Sequence, residues 1–208
     1  MASGIEQSLP VRGGAIGVRL RALAVLRQAA GLALRPDARA DFGHEWRRRL
    51  RGRARPLPAE VASVLVICHG NICRSPFAAA LLARALPELR IASAGLAAED
   101  DCAADAAASR AASRRGVDLG GHRARLLHAD HVRGADLVLG MQGRHLRAVV
   151  AAVPDAASRA FLLGEFLPDP PHSIPDPWGR DDATFDAVFG RIERAVGTLA
   201  RALRGQAG

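Results

Sequence analysis

Three features of the sequence predict an α/β fold: an open, doubly wound, four-stranded parallel sheet with helices on both faces. Short apolar runs recur from residue 61 onwards, segments of helical spacing separate them, and Gly, Pro, Asp or Asn punctuates the junctions. An order of β-α-β-α-β-α-β-α packs well only when each strand lies parallel to its neighbours and the helices cover both faces.

Each element has its own warrant. SVLVIC (63–68) is a continuous apolar run with β-branched residues, as expected for a strand covered on both sides. A helix is predicted from Ser75, with Pro76 in its first turn, where a missing N–H costs little. RIASAG (90–95) reads as the second strand, and DAAASRAASRRG (105–116) as a helix ending at Gly116. ADLVLGM (135–141) is the third strand, GRHLRAVVAAV (143–153) a helix, and RAFLLG (159–164) the fourth strand. The Pro- and Asp-rich loop LPDPPHSIPDPWG (167–179) leads to a last helix over 181–203. There Phe185, Val188, Phe189, Ile192, Val196, Leu199 and Leu203 keep helical spacing.

Upstream the character changes. Residues 15–34 read as a helix with Ile16, Leu20, Leu23, Leu26 and Leu34 in a rough stripe, followed by arginines clustered at 47–55 and closed by Pro56 and Pro58. Residues 1–60 hold 12 arginines against 5 acids, whereas residues 61–208 hold 17 against 16. The net charge of +8 therefore resides almost wholly in the first segment. Two parts are expected: a basic N-terminal extension over 1–60, partly helical or disordered, and a folded domain over 61–208. Nucleic acid ranks behind an acidic partner or an anionic membrane surface for the basic arm, because no reading motif accompanies the charge.

Three cysteines are too few for a disulfide framework, and no CxxC or CxxH pattern suggests zinc. Neither a metal nor a cofactor is called for. A reducing cytoplasm is the expected location. Arg19, Arg21 and Arg27 interrupt the one segment long enough to resemble a membrane span or signal peptide.

The chemistry concentrates in CHGNICRS (68–75), between the first strand and the helix after it. In open parallel sheets ligands bind beyond the carboxyl ends of the strands, where this loop lies. Cys68 and Arg74 enclose five residues whose N–H groups can converge on one anion, and the following helix adds its positive end. Gly70 permits unusual backbone angles, and Asn71 tolerates the left-handed region, so the loop can curl tightly. Arg74 supplies a planar fork matched to two phosphate oxygens. The same donors favour a thiolate at Cys68, a nucleophile to which the Ser75 hydroxyl can donate.

VICHGNICRSP (66–76) resembles the signature of the low-molecular-weight protein tyrosine phosphatase family, Cys-x-Gly-Asn-x-Cys-Arg-Ser, and further landmarks extend the likeness over roughly 61–204. The resemblance implies a flavodoxin-like sheet of strand order 2-1-3-4. It also makes Cys68 the nucleophile, Arg74 the phosphoryl-binding residue and Ser75 the stabiliser of the thiolate. His69, Gly70, Asn71, Ile72 and Cys73 then line the phosphate cradle, and Asn71 holds its shape with support from Ser93 and His122. Cys73 falls where relatives form a reversible protective disulfide with the nucleophile. The implied substrate is a phosphotyrosine protein, with an autophosphorylating tyrosine kinase of exopolysaccharide synthesis as a candidate partner.

Hydrolysis needs a proton for the departing oxygen and later a base for water, and one positioned carboxyl group can supply both. Asp176 in SIPDPWG is the best-placed acid, stiffened by Pro175 and Pro177, and the resemblance assigns it that role. Asp169 is a weaker candidate that suits a turn. Trp178 stands where the family usually has tyrosine and offers an aromatic wall for an aryl phosphate. His69 and Gln142 also depart from the family pattern. Arsenate reductases share the loop but need more thiols than Cys102 supplies beyond it. Protein arginine phosphatases carry threonine where this chain has Ile72. An inactive phosphate-binding regulatory module would be expected to have lost Cys68, Arg74 or Asp176.

Overall fold

A computed structural model describes residues 55–206. Four parallel strands, β1 (Ser63–Cys68), β2 (Arg90–Gly95), β3 (Leu137–Gly140) and β4 (Ala160–Leu162), form one sheet in the order β2-β1-β3-β4. Val66 of β1 registers with Ser93 of β2 and Leu139 of β3. The helices are α1 (Arg74–Ala85), α2 (Ala106–Ser113), α3 (Ala129–Arg133), α4 (Gly143–Ala152) and α5 (Asp182–Arg204), with 3₁₀ turns at Pro154–Ser158 and Leu163–Phe166.

β1 is buried at every position, and its alternation sorts side chains between two cores. Val64, Val66 and Cys68 join the larger core with Phe77 and Leu82 of α1 and Phe185, Phe189 and Ile192 of α5. Leu65 and Ile67 join the smaller core with Val132 of α3, Val138 of β3, and Leu146 and Val149 of α4. Phe77 and Phe189 stack with ring centroids 4.1 Å apart, fixing α5 against α1.

Boundaries differ from the sequence reading for local reasons. α1 begins at Arg74, one residue early. β3 starts only at Leu137, because Asp136 turns its carboxylate to the Ala62 N–H (3.0 Å) and the Ser63 hydroxyl (2.8 Å). β4 stops at Leu162, where Leu163 enters a 3₁₀ turn. The short helix α3 was not foreseen; five residues are too few to show a period. Asp105 and Asp181 cap α2 and α5 by accepting backbone N–H bonds, as their positions suggest.

The helix read over 15–34 and the arginines at 47–53 lie outside the described residues. Arg55 is described. Its guanidinium donates to the carbonyls of Ala157 (2.8 Å) and Ala160 (2.5 Å) and lies 4.2 Å over the centre of the Phe161 ring. Leu57 and Val61 pack against the larger core, so the end of the basic segment is stitched to the domain.

Candidate active site

Cys68 ends β1, and the chain turns at once into a loop that closes on its own sulfur. Cys68 Sγ lies 3.0 Å from Ser75 Oγ and accepts the Asn71 N–H at 3.3 Å. Ser75 Oγ also accepts from Asn71 Nδ2 at 2.8 Å, which leaves its one hydrogen to point at the sulfur. Cys68, Asn71, Arg74 and Ser75 are all buried. Asn71 takes the left-handed conformation, with φ of 55°. Gly70 does not: it has no positive φ, and a Cβ there would meet only the Ile72 side chain at 3.5 Å. The curl thus comes from Asn71 rather than from Gly70.

Asn71 is held on every side. Its Nδ2 also donates to Ser93 Oγ (2.9 Å), its Oδ1 accepts the Arg125 N–H (2.9 Å), and its carbonyl accepts from His122 Nε2 (2.6 Å). A carbonyl only accepts, so His122 carries its proton on Nε2. Burial pushes the His122 imidazole pKa down, opposed by that hydrogen bond, and Arg125 and Arg123 add to the lowering. Ser93 and His122 therefore contact the asparagine as expected. Arg125 holds Asn71 through its backbone N–H, and its guanidinium donates to the Ser93 carbonyl at 3.2 Å.

Gly95 is a further residue that sequence reasoning passed over. A Cβ there would fall 2.6 Å from the His69 carbonyl oxygen and 2.8 Å from the Asn71 nitrogen. Both are backbone atoms, so the end of β2 and the loop fit together only because residue 95 lacks a side chain. Its place beside Ser93 in ASAG was the available signal.

Across the loop, Arg74 is 1% exposed and its Nη2 forms an ion pair with Asp176 Oδ2. Its Nη1 donates to Gln142 Oε1 (3.0 Å) and to the Ile174 carbonyl (3.1 Å). Among the described residues the Arg74 Nε–H is buried without a partner, a donor of the kind an incoming anion satisfies. Asp176 is brought there because the Ile174 N–H bonds the Met141 carbonyl at 2.8 Å, tying the loop after β4 to the end of β3. Upstream, His172 Nδ1 donates to the Gly164 carbonyl (2.8 Å), another anchor the sequence did not advertise. Asp169 pairs instead with Arg191 at 3.5 Å.

Gln142, unexplained by sequence, now has a role: its Oε1 accepts from both Arg74 and Arg144, each at 3.0 Å. His145 braces the turn, its Nδ1 accepting the N–H groups of Met141 (3.1 Å) and Gln142 (3.2 Å). Burial, then the charges of Arg74 and Arg144, push the His145 imidazole down to about 2, so it stays neutral.

The remaining expected residues sit as follows. Cys73 is buried in the larger core, and burial, then Asp105 and Cys68, push its thiol pKa up. Ile72 is half-buried and its carbonyl accepts the Asp105 N–H at 2.9 Å. His69 is exposed, and Trp178 is 65% exposed two residues beyond Asp176.

Such a loop at the carboxyl end of a parallel sheet, with an acid facing its arginine, is the mark of the cysteine-dependent phosphatases. Within that class, residues 63–207 match the family described as low molecular weight phosphotyrosine protein phosphatase. The chain belongs to that family, whose members are phosphoric monoester hydrolases. It is similar to the low molecular weight protein-tyrosine-phosphatase Etp of Escherichia coli strain K12, 39% identical over 141 residues, spanning 68% of this chain and 94% of that one. Among solved structures, it resembles the tyrosine phosphatase Wzb from Escherichia coli K30 in complex with sulphate. That match has a TM-score of 0.66 and 40% identity over 69% of this chain and 99% of that one. It also resembles the YwlE arginine phosphatase of Geobacillus stearothermophilus, with a TM-score of 0.65 and 32% identity over 69% and 94% of the two chains.

Two predictions follow from this geometry. Gly95→Ala forces backbone apart beneath the loop; kcat/KM should fall at least about 100-fold, because small misplacements of reacting groups cost that much. Steady-state kinetics beside a thermal melt checks it, and near-parental turnover contradicts it.

The second concerns acid stability. Unfolded histidine takes its proton near 6.5, whereas folded His145 refuses it down to about 2. Below about pH 6.5 the unfolded chain binds more protons, so stability is full above that value and falls as pH drops. The loss approaches ~1.4 kcal/mol per unit from this group. Urea unfolding at pH 7 and pH 5 should show a loss smaller by ~2 kcal/mol in His145→Asn than in the parent.

Proposed function

We propose that the chain is a protein tyrosine phosphatase working through a phosphocysteine, with Cys68, Arg74 and Asp176 as its catalytic residues. The observation that carries the reading is the chain of contacts Asn71–Ser75–Cys68, which turns a hydroxyl hydrogen towards the sulfur from a fully buried asparagine. In the first step the sulfur attacks phosphorus in line, the bond to the aryl oxygen breaks, and Asp176 gives that oxygen its proton. In the second, water attacks phosphorus as Asp176 takes a proton from it, and the sulfur departs as thiolate. Arg74 and the backbone N–H groups of residues 69–75 stabilise charge on the equatorial oxygens throughout.

Trp178 supports an aryl substrate: it is the largest exposed apolar side chain of the described residues and follows the acid by two positions. Ile72 of the loop is apolar and half-buried against the larger core. The partner class we infer is a phosphotyrosine protein, an autophosphorylating tyrosine kinase being the proposed instance. Three unpaired cysteines among the described residues suit a reducing cytoplasm, and none of the described helices is long and apolar enough to cross a membrane. Arginine phosphatase activity is the second reading, favoured by the likeness to YwlE.

Purified protein assayed side by side on phosphotyrosine and phosphoserine peptides, phosphoarginine and arsenate separates these readings, with phosphotyrosine expected to dominate. Cys68→Ser should abolish turnover while still binding phosphoprotein. Asp176→Asn should lower kcat by about 10²–10⁴-fold on phosphotyrosine, and less on an aryl ester whose leaving group needs no proton. Preference for phosphoarginine, or activity surviving Cys68→Ser, rejects the assignment.

For the basic extension over 1–60, we propose docking through arginines 47–55 on an acidic partner or an anionic membrane surface, supported by the charge asymmetry alone. Binding to anionic vesicles or to the substrate kinase should weaken steeply with salt and disappear when those residues are deleted. Salt-independent binding, or retention after deletion, rules docking out.

A further inference from the structure

Two guanidiniums meet at Asp176, and only one of them is needed there throughout the reaction. Arg74 Nε–H and Nη2–H lie on the same edge of the guanidinium, the edge that makes a two-pronged contact with an anion. Nε is buried and has no partner among the described residues, while Nη2 holds Asp176 Oδ2. A phosphoryl group gripped along that edge takes Nη2 from the carboxylate. The other arginine is at hand: Arg144 Nη2 lies 3.8 Å from the same Oδ2 atom. Gln142 Oε1 accepts 3.0 Å bonds from both arginines and so sets their spacing. Arg144 is 26% exposed and Asp176 33%, so their attraction is partly shielded from water.

We propose that Arg144 is a positioning residue for the second half of the reaction, receiving the Asp176 carboxylate when Arg74 turns to the phosphoryl oxygens. This rests on the phosphatase reading above. Asp176 leaves the first step ionised, having given its proton to the aryl oxygen. In the second step it draws a proton from the attacking water while the oxygen–phosphorus bond forms and the sulfur–phosphorus bond breaks, the electron pair returning to sulfur. While the aryl oxygen is present the carboxyl group is held by its hydrogen bond to that oxygen; once the aryl group has left, the contact with Arg144 keeps the carboxylate over the phosphocysteine. Arg144 therefore serves phosphocysteine breakdown and not phosphocysteine formation. Among the described residues the charges facing Asp176 are Arg74 and Arg144, with the Cys73 thiol close enough to sense it.

Rapid-quench kinetics with p-nitrophenyl phosphate measures both steps: the burst of p-nitrophenol reports formation, and loss of acid-trapped phosphocysteine reports breakdown. In Arg144→Gln, breakdown should slow about tenfold, the worth of one charge-assisted contact, with formation unchanged or faster. Arg144→Lys should recover most of the loss. Both rates come from the same folded molecules, so a partly unfolded preparation cannot mimic the split. Unchanged breakdown, equal slowing of both steps, or no recovery with lysine overturns the assignment. A parent that forms no phosphocysteine overturns the phosphatase reading itself.

Discussion

One side chain, Asn71, holds the loop in working shape. It sits where backbone geometry is least tolerant, in a left-handed conformation that asparagine accepts at small cost. Its amide and carbonyl then bind Ser75, Ser93, Arg125 and His122. Each such bond contributes roughly 0.5–1.5 kcal/mol net, yet every partner lost inside a buried site leaves an expensive unpaired group. The network is thus cooperative: the sulfur, the hydroxyl that faces it and the backbone donors keep their positions together or not at all.

Opposite this rigid half lies an electrostatic half. Arg74, Arg144, Gln142 and Asp176 form a compact set with one more positive than negative charge. Neutral Gln142 matters here because it accepts from two cations without cancelling either. His145 has the same restraint, staying uncharged between two arginines while its Nδ1 fixes the turn beneath them. The site thereby keeps its surplus charge for the dianion it is built to receive.

The fold was legible because β1 is uninterrupted apolar sequence and α5 has an unbroken helical stripe; both signals survive without knowledge of neighbours. The loop was legible because its residues are contiguous. What escaped were contacts between distant segments. Gly95 matters only because the His69 carbonyl lies against it, Arg125 because its N–H reaches Asn71 and its guanidinium the Ser93 carbonyl, and His172 only because Gly164 leaves room for its backbone. Gly70 was credited alongside Asn71 with the curl that Asn71 performs, since glycine permits such angles without declaring that it uses them. Arg144 and His145 looked like ordinary helix residues until the turn folded them against Arg74.

The anchoring of Arg55 has a geometric result. Its guanidinium clasps the chain just before and at the start of β4, the pole of the sheet from which strands depart, whereas Cys68 lies at the pole where β1 arrives. Arg55 is thus moored at the end of the sheet opposite Cys68. A contact made at Arg55 therefore leaves the loop at Cys68 clear at the far end of the sheet.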